Sequence, residues 1–135
     1  MKLILACTLF ALSAVQFTAS QTQSANEAIV GDWHGTSLCM VKPSACHDEE
    51  ALYHVKSAPD KPGKLFLQAD RIVNGKPVTM GDPADCNYDA KYNFLRCDFA
   101  RGYVELTLEG DRLEGAMFLT DKTKWRELKL KRVKT

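Results

Sequence analysis

From Ile29 onward, apolar and polar residues alternate with a period close to two, and no stretch sustains the i, i+3, i+4 spacing of an amphipathic helix. The pattern predicts strands near 29–40, 51–57, 64–71, 84–90, 93–99, 102–109, 112–120 and 124–133, each bounded by turn residues. It is clearest in the second half. Val104, Leu106 and Leu108 alternate with Tyr103, Glu105, Thr107 and Glu109; Gly110-Asp111 then turns the chain, and Leu113, Gly115, Met117 and Leu119 alternate with Glu114, Ala116 and Phe118. Leu128 and Leu130, set against Glu127, Lys129 and Lys131, repeat the device. An apolar sheet face with no helix to cover it must curl on itself or meet a second sheet. Eight short strands with brief connections fit an all-β, antiparallel up-and-down β-barrel.

Two connections are longer than a hairpin requires. One, 41–50, holds Pro43 and the run His47-Asp48-Glu49-Glu50; the other, 72–83, holds Asn74-Gly75 and Met80-Gly81-Asp82-Pro83. Loops of this length among tight hairpins are where a barrel keeps a mouth or lid. Asn74-Gly75 is also a good type I′ turn, so this stretch alternatively forms a small extra hairpin and brings the count to nine or ten strands.

Residues 1–20 read as a signal peptide: Lys2 supplies the positive end, Leu3 to Val15 the apolar stretch, and Thr18-Ala19-Ser20 the small residues of a cleavage site. Thr8, Ser13, Gln16 and Thr18 interrupt that stretch too often for a membrane anchor, and Cys7 lies too near Met1 for a lipoprotein box. Residues 21–28 are small and polar and read as a flexible tail ahead of a single barrel domain, 29–135. Removing Lys2 turns 18 basic and 17 acidic side chains into 17 of each, so the exported chain carries no bias toward a polyanion. These features point to a secreted or periplasmic protein that does not bind nucleic acid.

Four cysteines follow the signal, an even number for an oxidising compartment. Cys86 and Cys97 sit symmetrically about Lys91-Tyr92, so a hairpin sets them opposite each other; Cys39 and Cys46 then close a short loop. Two disulfides are the simplest account. The competing use of Cys39, Cys46, His47 and His34 as metal ligands lacks paired C-x-x-C spacing, and no metal or other cofactor is expected.

Gly31-x-Trp33 at the head of the first strand, with an eight-strand plan and a basic residue late in the last strand, resembles the calycin group, which includes lipocalins and fatty-acid-binding proteins. The resemblance implies that Trp33 plugs the closed end and stacks on an arginine of the final strand. Arg132 matches that arginine best and Arg126 is the alternative. The chain is shorter than a typical lipocalin and lacks its C-terminal helix, so the resemblance carries no ligand with it.

Catalysis finds no motif: there is no Gly-x-Ser-x-Gly, phosphate-binding glycine loop or His-Glu-x-x-His, and the thiols are expected in disulfides. The expectation is a binding protein rather than an enzyme. Its first form is a barrel holding a small apolar ligand against Phe66, Leu67, Met80, Tyr88, Leu95, Leu106 and Met117. Its second is an interaction module or enzyme inhibitor that meets an extracytoplasmic protein through the 41–50 and 72–83 loops, with His47, Asp48, Glu49 and Glu50 as contact residues.

Overall fold

A computed structural model describes residues 25–135. The expected signal peptide lies outside the described residues. The described residues form nine strands: β1 (Gly31–Cys39), β2 (Glu49–Ser57), β3 (Leu65–Val73), β4 (Lys76–Thr79), β5 (Ala84–Asp89), β6 (Phe94–Phe99), β7 (Gly102–Glu109), β8 (Arg112–Leu119) and β9 (Lys124–Arg132). All pairings are antiparallel, and the sheet closes because β1 pairs with both β2 and β9 while β2 pairs with β3. Eight strands make the ring, and β4 stands outside it.

That ninth strand comes from the Asn74-Gly75 turn. Both residues hold positive φ, 52° and 76°, as a type I′ turn requires. Residues 70–73 of β3 therefore pair with β4, leaving only Leu65–Leu67 to pair with β5. The 72–83 connection is thus a two-stranded flap built on the C-terminal half of β3. In a two-residue hairpin the closing pair, here Val73 and Lys76, exchanges both backbone bonds. Pro77, one place along, consequently turns its backbone toward the unpaired flank of β4, where a missing N–H breaks no ladder bond.

The inward face is the one the alternation predicts. Trp33, Tyr53, Val55, Leu65, Leu67, Leu95, Leu106, Leu113, Leu128 and Leu130 belong to one cluster of sixteen buried described residues. Full burial of each Leu or Val is worth about 1.5–3 kcal/mol. Backbones approach closely where inward residues are smallest. A Cβ on Gly115 would lie 2.0 Å from Glu105 O, and one on Gly35 would lie 2.0 Å from Lys129 O, so neither position admits a side chain without movement of a neighbouring strand.

Both disulfides form. Cys86 stands opposite Cys97 in the β5–β6 ladder, and Cys39–Cys46 closes the loop that follows β1. Part of the segment expected to be a loose tail is packed instead. Asn26 is buried and its side-chain amide donates to Gly63 O, while Ile29 is wholly buried beneath the barrel. An apolar residue three places beyond Asn26 fixes this segment as a plug.

Candidate functional site

The two ends of the barrel are built differently. At the end where β1 begins, the Arg132 guanidinium lies 4.1 Å from the Trp33 ring centre. It donates to Val30 O at 3.0 Å and to Ala28 O, and the Trp33 indole donates to Ile29 O at 3.1 Å. Cation, ring and the segment from Ala28 to Val30 seal this end.

The opposite end gathers the loops. A bulge between Met117 and Phe118 makes Trp125 the extra residue of β9, and Arg126, opposite Met117, turns inward. Arg126 Nη1 donates to Ser37 O, Ser37 Oγ and His47 O at 3.0–3.3 Å and lies 3.4 Å from Glu49 Oε2. Arg71 approaches the other Glu49 oxygen at 3.8 Å. Asp48 caps the end of β1 by accepting from Cys39 N–H at 2.8 Å. Beneath them Tyr53 is fully buried and its hydroxyl has no protein partner. Burial raises its phenol well above the ordinary value; the Arg126 charge acts against that shift and the Glu49 charge adds to it.

The expected contact run does not form one acidic patch. Strand alternation sends Glu49 inward to Arg126 and Arg71, and sends Glu50 outward to His34 at 2.6 Å. His47 is exposed and offers its backbone carbonyl to Arg126, and Asp48 is spent on the β1 cap.

The seven residues expected to line a pocket do not surround one cavity. Leu67, Leu95 and Leu106 are buried within the shared core, with Tyr88 and Met117 packed against its edge. Phe66, out of phase with Leu67, lies on the outer wall, in a groove with Pro59, Leu65 and Pro83. Met80 follows β4 and bonds through its N–H to Ala69 O at 2.9 Å. Other concavities among the described residues lie on the outer wall too, one along Thr107, Ala116 and Phe118 and one beside His34 and Lys131.

What sequence reasoning missed is the exposure at the loop end. Met40, Val73 and Val78 are each 40–45% exposed and sit on the loop after β1 or on the β3–β4 flap, while Tyr92 on the β5–β6 turn and Val133 after β9 are exposed singly elsewhere. Val73 and Val78 flank the Asn74-Gly75 turn, which was the available signal. A second missed cluster, Asp32, His54 and Asp70, crosses the outer wall from β1 to β3.

Among the described residues no three His, Cys, Asp or Glu side chains are arranged to hold a metal ion, and no helix is long and apolar enough to cross a membrane. The two disulfides point to an oxidising, extracytoplasmic environment. Comparison with known protein families and with curated proteins finds no match. The closed eight-strand antiparallel barrel is compatible with a calycin-like fold.

Proposed function

We propose that this is an exported interaction module, which binds a folded extracytoplasmic protein through the barrel end bearing the Cys39–Cys46 loop and the β3–β4 flap. The observation that carries the reading is the contrast between interior and rim. Leu67, Leu95 and Leu106, the expected pocket residues that do face inward, are spent on the core, while Met40, Val73 and Val78 stand exposed on two neighbouring projections. Apolar side chains held out on braced loops cost solvation free energy unless a partner covers them. The disulfide and the Arg126 and Asp48 contacts limit the ordering entropy that binding would otherwise demand. A partner enzyme whose cleft receives these projections would make the protein an inhibitor.

The test is a titration of purified, oxidised protein against a panel of extracytoplasmic hydrolases, with complex formation read by gel filtration and inhibition by residual activity. The wild type is expected to form a saturable complex with at least one member, and a Val73→Asp, Val78→Asp double variant to lose it. Complexes indifferent to the double variant, or none with any member, would overturn the reading. Saturable uptake of a fatty acid or retinoid with quenching of tryptophan fluorescence would favour an interior ligand instead.

A further inference from the structure

The polar cluster on the outer wall reaches the proposed contact surface only at the root of the flap, through Asp70. Asp32 on β1 stands directly across from His54 on β2, and Asp70 on β3 lies diagonal to it. His54 Nδ1 is 2.6 Å from Asp32 Oδ1, and its Nε2 is 3.1 Å from Asp70 Oδ2. An imidazole donates from both nitrogens only as the cation, so one carboxylate on each nitrogen calls for imidazolium.

The two carboxylates differ in freedom. Asp32 is half-exposed and can turn to water. Asp70 cannot: its side chain is nine-tenths buried, and its Oδ1 has no hydrogen-bond partner. Among the described residues the other charged groups on this wall are His34 of β1, bound to Glu50 of β2, with Lys131 and Lys129 of β9 beyond His34, Lys56 farther along β2 and Asp85 of β5 across from Phe66. β4 presents Thr79 and Pro77 here and no charge. Among the described residues the side-chain partners of His54 are thus the two carboxylates.

Asp70 also begins the flap. It pairs with Thr79, and the carbonyl of the preceding Ala69 accepts from Met80 N–H. We propose that Asp32, His54 and Asp70 form a proton-operated clamp, in which protonated His54 holds the root of the β3–β4 flap against β2 and loss of that proton loosens it.

Partial burial alone would lower the pKa of His54, but the hydrogen bonds and charges of Asp32 and Asp70 outweigh it and raise the value above 6.5. The stabilisation is therefore fully present below the unfolded-chain value and is lost as pH rises through the raised folded value. Neutral His54 keeps one N–H and turns a lone pair toward the other carboxylate, leaving Asp70 buried without a countercharge.

Hydrogen exchange and imidazole NMR on the intact oxidised protein test this. His54 is expected to titrate above 6.5. Protection of Met80 N–H and the β3–β4 ladder, corrected for intrinsic exchange, should fall through that titration on the order of tenfold per unit of raised pKa. A His54→Gln variant should show low protection with no corrected pH dependence. The clamp is wrong if the wild type and His54→Gln share one pH profile, or if His54 titrates at or below the ordinary value. Should His54→Gln not fold, Asp32→Asn, which alters the half-exposed partner, must move the loosening midpoint to lower pH; an unmoved midpoint rejects the proposal. Any effect on partner binding rests on the reading above, whereas the exchange measurement does not.

Discussion

Arg126 and Arg132 lie six residues apart on the inward face of β9, and each donates to backbone carbonyls in or beside one end of β1, at opposite ends of the barrel. One strand thereby fixes both where β1 begins and where the loop after it lies. Arg132→Ala removes the cation over Trp33 and the bonds to Val30 and Ala28, at a cost of about 2–3 kcal/mol. Arg126→Ala leaves Glu49 largely buried without its nearest cation, at about 3 kcal/mol. The sites share no partner, so in urea denaturation the double variant should equal the sum within about 0.5 kcal/mol.

Tyr53→Phe should stabilise the fold or leave it unchanged. The hydroxyl is buried without a protein acceptor, and deleting it removes a desolvation cost of about 1 kcal/mol while keeping the ring's packing. A melting temperature lower by several degrees would show that the hydroxyl makes a contact of value.

Gly115→Ala and Gly35→Ala should each destabilise by about 3 kcal/mol or prevent folding, because the added carbon meets a neighbouring strand's carbonyl. Gly110→Ala, at an open turn with φ of 63°, meets no atom and should lose about 1 kcal/mol through backbone strain alone. Thermal melts of the three variants in parallel separate crowding from conformation.

The disulfides should divide by role. Replacing either pair with serine is expected to cost about 2–3 kcal/mol. Only the Cys39→Ser, Cys46→Ser variant should weaken the proposed partner complex, since it frees the loop bearing Met40, while Cys86 and Cys97 lie in the core. Equal loss of binding from both pairs would place the contact surface elsewhere.

Much of this was legible in the alternation. Strand limits agree to within about two residues, and the symmetry of Cys86 and Cys97 about their turn located a true cross-strand pair. The expected pocket residues divide between two faces for a reason period two itself supplies: Phe66 and Leu67 are adjacent, so only one of them can face inward. The same alternation divides Glu49 from Glu50 and dissolves the acidic run as a single surface. The clamp could not be read in advance. His54 meets Asp70 only because the β2–β3 register brings them diagonal, and a register is a relation between strands rather than a property of either. Arg126 shares the phase of Leu128 and Leu130, so its inward direction was legible; its partners Ser37, His47 and Glu49 were not, because they depend on the β1–β9 register and on the path of the loop after β1.

The flank of β4 that faces away from the barrel has a final consequence. An unpaired strand ordinarily offers its backbone to any extended chain, and a concentrated protein with such a flank tends to grow sheets. Pro77 withholds a donor at the centre of this flank, while Val73 and Val78 keep their side chains free. In the proposed complex the flap would recognise its partner through these side chains, while Pro77 disfavours indiscriminate strand addition. A Pro77→Thr substitution should leave the fold intact yet make the protein prone to self-association, seen as concentration-dependent light scattering.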